Sequence, residues 1–414
     1  MEDGVYGRYC KCIILTIYFV IFVSLDKYEI SDLILSYFSQ LEKSYSYNFK
    51  NWLFLNTKFN NERSKIFLLN DNFELCKNEI HLNENKIISE KHEPFVIAEI
   101  GNNHNGDLNL AFELIKSAKM NGADAVKFQV KNIEKSFSKE LLDSPYVNEN
   151  SFGSTYREHK QALEFSKEQL EQIYEFCKKI EIICFSTPFD IDSVDLLEEI
   201  GNPIYKISSF HVTDLDLIKR VCETKKPIII STGMSTLEEI DHAIDLIKKY
   251  TKDFVILHCV SCYPTEDEDV NLRVIHTLKN RYDCLVGYSG HEKGVAISSA
   301  SVLFGACVIE RHFTLDRTMK GPDHASSVEP IGLNHIVTRC KKYFKAMGTF
   351  EKNVLGCELK NRKKFRGYWI YILELNQKIH EKLHYHQKIY KYIERFFLYQ
   401  KLHHRELLKN QLVS

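Results

Sequence analysis

Across residues 95–312 the sequence repeats one alternation: a short apolar run, a polar loop, an amphipathic stretch, then the next apolar run. Nothing else in the chain limits the fold so tightly. The first run starts at Val96 and ends at Glu99. The others cover residues 125–129, 182–186, 204–208, 227–231, 254–259, 284–288 and 307–312, and together they read as eight strands. Helical stretches lie between them, at 167–179, 191–200, 214–222, 235–250, 272–281 and 295–304. Asp107 is placed to cap an earlier helix whose Leu108, Ala111, Leu114, Ile115 and Ala118 share one face, and Gly122 is placed to end it. Ser235 and Glu238 stand three apart in a capping-box pattern ahead of Ile240, Ala243, Ile244 and Ile247. Several strands are continuous apolar runs, as expected for parallel strands buried on both faces. Eight strand–helix units predict an α/β fold of the closed (β/α)8 TIM-barrel type. An open doubly wound sheet is the alternative.

The flanks differ from this middle. All eight prolines lie within residues 94–330, whereas the segments up to about residue 80 and beyond about 367 carry no proline and almost no glycine. Turns need those residues. The expected organisation is an N-terminal extension over 1–80, a barrel over 81–350, and a linker with a helical tail over 351–414. Residues 13–25 are apolar and follow Arg8 and Lys11. The stretch is short for a membrane span of about 20 residues and lacks a convincing small-residue cleavage site, so a buried helix or a gene-model artefact is the expectation. With 55 basic and 56 acidic residues the chain has no field suited to nucleic acid. Twelve scattered cysteines read as reduced thiols of a cytoplasmic protein. Cys259 and Cys262 have C-x-x-C spacing, but no second ligand pair accompanies them and a barrel strand is no thioredoxin context.

In such barrels chemistry gathers where strands hand over to loops, and each of the eight strand ends is polar here. They supply Glu99 with Asn102, Asn103 and His104; Lys127 and Gln129; Ser186 and Thr187; Lys206, Ser208, Ser209 and His211; Ser231 and Thr232; His258 and Tyr263; Ser289 and His291; and Glu310, Arg311 and His312, with Asp323 beyond. Two lysines among short hydroxyl donors suit a small phosphorylated anion. His291 and His312 close neighbouring strands, about 4.8 Å apart in a sheet. Two imidazoles there either share a divalent metal, completed by water and substrate oxygens, or bond within the rim.

The motifs "FVIAEIGNNHNGD", "AVKFQ", "FSTPFD", "YKISS", "PIIISTGMS", "LHCVSCYPT", "VGYSGHEKG" and "IERHFTLDRTMKGPDHASS" occur in this order. Over about residues 80 to 350 they resemble the sialic acid synthase family, the N-acetylneuraminate, legionaminate and pseudaminate synthases. The resemblance implies condensation of phosphoenolpyruvate with an open-chain N-acetylated sugar such as N-acetylmannosamine or its 6-phosphate. Phosphate is released and a divalent metal, often Mn2+ with Mg2+ as the other choice, takes part. Carried over by motif, Lys127, Thr187, Lys206, Ser209, Ser231 and Ser289 look like phosphoenolpyruvate contacts. His291 and His312 look like metal ligands. Asn150, Tyr263 and Asp323 look like sugar contacts, and Glu99 looks like the catalytic carboxylate.

Two departures from the pattern stand out. Some members have Asn near the phosphate and Glu after the fourth strand, where this chain has Ser261 and His211. Members also continue into a small antifreeze-like domain that lends an Arg to the partner subunit. Here "KNRKKFRGYWIYI" resembles the lead-in to that domain, but the basic, Tyr- and His-rich stretch after it lacks the Gly and Pro turns. A homodimer is implied by the resemblance. Two rival readings remain: a Schiff-base aldolase using Lys206 or Lys127, and a barrel that binds phosphoenolpyruvate without turning over.

Overall fold

Every side chain of the strand Phe95–Gly101 is buried, which requires cover on both of its faces. Val96, Ala98 and Ile100 point one way, into a layer shared with helices. Phe95 and Ile97 point the other way, toward Ala125, Phe185, Ile204, Ile229, Val255, Leu285 and Val308 of the other strands. A strand with two apolar faces belongs inside a barrel wall. The computed structural model describes residues 78–84 and 86–366, so the expectations for residues 13–25 and for the tail beyond 366 lie outside the described residues.

The wall is a closed, all-parallel ring of eight strands: β3 (Phe95–Gly101), β4 (Ala125–Val130), β5 (Ile183–Pro188), β6 (Tyr205–Ile207), β7 (Ile228–Ser231), β8 (Phe254–Cys259), β9 (Leu285–Gly290) and β10 (Val308–His312). Closure rests on β10, which pairs with β9 on one side and β3 on the other, with His312 opposite Glu99. That pairing removes the open-sheet alternative. Before the ring, β1 (Ile80–Asn83) and β2 (Lys86–Ile88) form an antiparallel hairpin. Its Ile80 and Ile88 join the inward cluster built from the early residues of the strands, so the hairpin plugs the N-terminal end of the barrel. The reactive end is thereby left to the opposite face.

Helices cover the ring. Asp107 caps Leu108–Met120 as expected, accepting from the N–H groups of Asn109 and Leu110. Gly122 follows with φ +88°, a left-handed value that a residue with a Cβ adopts only under strain. The helices Lys167–Lys179 and Ile191–Ile200 stand where their periodicity placed them. One cap differs. The capping box of Leu237–Lys248 is Thr236 with Glu239, not Ser235 with Glu238. Ser235 Oγ instead donates to the Gly233 carbonyl, 3.1 Å away, and is spent in the turn. The stretch 295–304 divides into Ala296–Ala300 and a 3-10 turn, Ser301–Phe304.

Cys177, Cys184, Cys222, Cys259 and Cys340 are buried. Among the described residues no helix is long and apolar enough to cross a membrane.

Candidate active site

Strand side chains alternate, so two residues beyond an inward apolar group the chain again faces inward, one layer higher. In this barrel the higher layer is polar. Glu99 stands two residues after Ile97, Lys127 after Ala125, Thr187 after Phe185, Lys206 after Ile204, Ser231 after Ile229 and Glu310 after Val308. A slip of one residue in any strand would turn these groups into the helix layer.

The layer contains a closed ionic cluster. Lys127 Nζ lies 2.8 Å from Glu99 Oε2 and 3.8 Å from Glu310 Oε2. It also donates to Thr187 Oγ1 at 3.0 Å. Lys206 Nζ lies 3.3 Å from Glu310 Oε1, and Ser289 Oγ donates to the same oxygen at 3.0 Å. All four charged side chains are at most 6% exposed. Charges so deep are tolerated because two ammoniums meet two carboxylates.

Their proton affinities follow from this layout. Burial pulls Lys127 down, but Glu310 and Glu99 outweigh it, and the ammonium is held above its usual value. Burial also pulls Lys206 down; Glu310 only partly opposes it and Lys127 adds repulsion, so its value is lowered. Burial raises Glu310, yet Lys127, Lys206 and the Ser289 hydroxyl hold it at about 2. A doubly charged small anion that enters here meets both lysines and competes with Glu99 and Glu310 for them.

Hydroxyls and a backbone N–H stand beside it. Gly233 donates its N–H to Ser209 Oγ at 2.9 Å. A Cβ at Gly233 would lie 2.2 Å from Ser261 Oγ, 2.9 Å from Ser209 Oγ and 3.3 Å from Cys259 Sγ, so only glycine lets these groups converge. Ser231 Oγ is buried without a hydrogen-bond partner among the described residues, which marks it as a donor awaiting an acceptor.

The two histidines fit a divalent metal. Their ring centroids are 5.7 Å apart. His291 Nδ1 is 2.9 Å from the Val260 carbonyl. A carbonyl can only accept, so Nδ1 carries the proton and Nε2 keeps the lone pair. His312 Nδ1 is buried with no partner among the described residues. No group of three or more His, Cys, Asp or Glu able to hold a metal is found among the described residues. The Tyr263 ring lies 4.1 Å from that of His291 and 6.1 Å from that of His312. Tyr263 is 47% exposed and forms the solvent side of this corner.

The remaining expected residues sit in the loops. Asp323 accepts from Asn102 Nδ2 at 3.3 Å. Asn150 Oδ1 accepts the Gly321 N–H at 3.1 Å, tying the β4 loop to the loop that carries Asp323. Two participants were not singled out from the sequence as site residues. Glu310 bridges both lysines, and Gln129 Nε2 donates to Glu99 Oε1 at 3.0 Å. The signal for Glu310 was the period-two spacing from Val308, which puts it inside while Arg311 faces out. Gly101 (φ +55°) completes the corner: a Cβ there would lie 3.2 Å from Glu99 Oε1 and 3.4 Å from both Gln129 Nε2 and His312 Cε1. Of the C-x-x-C pair, Cys259 faces the site, with Sγ 3.9 Å from His291 Nδ1, while Cys262 is exposed.

Known proteins resemble this chain in sequence and in fold. The NeuB family model matches residues 114–352. The N-acetylneuraminate-9-phosphate synthase of Mus musculus is 38% identical over 282 residues, 68% of this chain and 79% of that one. The N,N'-diacetyllegionaminic acid synthase of Campylobacter jejuni is 42% identical over 270 residues, 64% of this chain and 81% of its own. Among solved structures, the N-acetylneuraminic acid synthetase of Leptospira borgpetersenii superposes with a TM-score of 0.61 at 35% identity, covering 70% of this chain and 98% of that one.

Proposed function

We propose a function from one premise: the chain belongs to the NeuB family, the sialic acid synthases. It condenses phosphoenolpyruvate with an N-acetylated amino sugar of the N-acetylmannosamine kind, forming a nonulosonic acid and releasing phosphate. The relatives' names carry this class of product, and the buried cluster of Lys127, Lys206, Glu99 and Glu310 carries the chemistry.

In this reading Lys127 and Lys206 take the phosphate and carboxylate of phosphoenolpyruvate. Thr187, Ser209, Ser231 and Ser289 orient its oxygens. The ring of Tyr263, with Asn150 and Asp323 from the loops, holds the sugar. His291 and His312 would hold a divalent ion, Mn2+ or Mg2+, which would supply Lewis acidity toward an aldehyde oxygen. The enol carbon forms the new C–C bond with the aldehyde carbon as the aldehyde C=O π bond breaks toward its oxygen, which becomes a hydroxyl by taking up the proton that water later releases, leaving positive character at C2. Glu99 faces that charge, takes a proton from the water that adds at C2, and so assists C–O cleavage and loss of phosphate. Gln129 fixes the carboxylate in place. A homodimer in the cytoplasm belongs to the same reading.

The test is phosphate release from phosphoenolpyruvate with Mn2+ across a panel of N-acetylated hexosamines, phosphorylated and not. Release that depends on one of the sugars supports the reading. Folded protein that is stabilised by phosphoenolpyruvate yet yields no product with any sugar points to the binding-only barrel instead.

A further inference from the structure

The loop between β4 and the helix Lys167–Lys179 carries more than Asn150. Its short helix Tyr156–Gln161 opens with a capping box, Thr155 with Glu158, and carries His159 and Lys160. His159 is buried. Its ring centroid lies 4.5 Å from that of Tyr146, and its Nδ1 accepts the Phe152 N–H at 3.3 Å. Burial, with Lys160 beside it, pulls its value down to about 4. This imidazole is therefore neutral near pH 7 and adds no charge of its own.

Two lysines flank it. Lys160 Nζ stands 5.1 Å from the centroid of the Tyr156 ring and 5.9 Å from that of Phe137. Lys320 Nζ stands 4.9 Å from the Phe152 ring, on the stretch that Asn150 ties down through Gly321. Lys160 is half-buried and Lys320 is exposed. Aromatic faces attract a cation but supply no oxygen acceptor, and neither ammonium has an ion pair or a hydrogen bond among the described residues. The carboxylates nearby are engaged elsewhere. Glu164 pairs with Lys131 Nζ at 3.1 Å, Glu158 accepts the N–H groups of Ser154 and Thr155, and Glu134 and Asp143 serve Arg157. Burial lowers Lys160, with Asp323 and then Glu164 opposing. A half-buried ammonium without an acceptor gains from an incoming anion.

Asp323 relates this corner to the rest of the mouth. Its charge is felt by Lys160 and His159 on this side and by Tyr263 at the corner of His291 and His312. A sugar held by Asn150 and Asp323 with its aldehyde toward the two histidines has its other end toward the lysines.

We propose that, given the condensation set out above, Lys160 with Lys320 binds a phosphate on the end of the sugar remote from the aldehyde, so that this chain prefers a 6-phosphorylated N-acetylhexosamine to the plain sugar. A phosphate monoester brings about two negative charges near pH 7, which two ammoniums match. Asp323, which accepts from Asn102, is left to accept from sugar hydroxyls.

Steady-state kinetics of the full chain with Mn2+ and phosphoenolpyruvate tests this, with N-acetylmannosamine 6-phosphate compared against N-acetylmannosamine. The wild type should favour the phosphorylated sugar by at least about tenfold in kcat/KM, the weight of one charge-assisted partner. Lys160→Met should remove most of that preference, chiefly through the KM of the phosphorylated sugar, and Lys160→Arg should restore most of it. Lys320→Gln, a change at the surface, should shift the ratio in the same direction, which guards against a folding defect in the other variant. A wild type that uses both sugars equally or favours the plain one overturns the proposal, as does a preference unchanged in Lys160→Met. Turnover of neither sugar overturns the condensation itself, and calorimetric titration with N-acetylmannosamine 6-phosphate then decides the phosphate site. Saturable binding weakened at least about tenfold in Lys160→Met upholds it; no binding, or equal binding in the variant, removes it.

Discussion

Lys206 and Glu310 meet inside the barrel at 3.3 Å, and the same carboxylate lies 3.8 Å from Lys127. Glu310 is thus the shared counter-ion of both lysines, while Glu99 serves Lys127 alone. Glu310→Gln leaves Lys206 as a buried ammonium without a carboxylate beside it. Removing one partner of a buried pair costs about 3–5 kcal/mol, and urea unfolding should show a loss of that order. An added anion can replace the missing charge, so phosphoenolpyruvate should raise the melting temperature of this variant more than that of the wild type. A variant as stable as the wild type, with an equal response to ligand, would remove Glu310 from this role.

The same carboxylate sets a pH dependence. Its folded value of about 2 lies below the ordinary 4.5, with burial overcome by Lys127 and Lys206. A group lowered in this way contributes fully above about pH 4.5 and loses its contribution as pH falls toward 2. The stability difference between wild type and Glu310→Gln should therefore be flat above pH 4.5 and narrow below it. A gap that widens on acidification contradicts the assignment.

Glu99→Gln keeps size and the contact with Gln129 but removes the charge and the proton acceptor. Turnover should fall by about 10²–10⁴-fold, the usual weight of a general base. Binding of phosphoenolpyruvate, followed by its effect on melting temperature, should persist because Lys127 and Lys206 remain. Equal losses in binding and turnover would recast Glu99 as a mere counter-ion of Lys127.

His291 and His312 make a separable case. A chelator should abolish phosphate release, and Mn2+ should restore it. His291→Ala and His312→Ala should each weaken Mn2+ binding by at least roughly 10–100-fold, since losing even an outer partner of a ligand costs that much. Electron paramagnetic resonance of bound Mn2+ without substrate reads this apart from catalysis. Undiminished Mn2+ binding in both variants would place the ion elsewhere.

How far the sequence revealed all this depends on the local signal. The ring was legible because buried parallel strands are continuous apolar runs, and 254–259 was bounded to the residue. Glu99, Lys127 and Lys206 were legible because each is a charged residue set within or at the end of such a run. Glu310 was noted at a strand end but not taken as a site residue, since its importance lies in two lysines from other strands that no local pattern brings near. The hairpin β1–β2 was not foreseen: it is only seven residues of strand with no Gly or Pro at its turn. Ser235 misled because its spacing to Glu238 mimics a cap, while the turn at Gly233 had already claimed its hydroxyl.

That turn supports the last prediction. Gly233 brings its backbone against Ser209, Ser261 and Cys259, where a Cβ would stand 2.2 Å from Ser261 Oγ. The side chains of Ser261 and Ser209 belong to two different loops, so Gly233→Ala pushes two hydroxyls away from one point. Overpacking of this kind costs about 1–3 kcal/mol, which a large barrel survives. The effect should concentrate where the hydroxyls converge. The KM for phosphoenolpyruvate should rise about tenfold or more, with the KM for the sugar moving far less, because Asn150 and Asp323 lie in other loops and only Tyr263 shares the loop of Ser261. Steady-state kinetics with each substrate varied in turn checks this. If the sugar KM rises and that for phosphoenolpyruvate does not, Ser209 and its neighbours serve the sugar, and the two ends of the site must be exchanged.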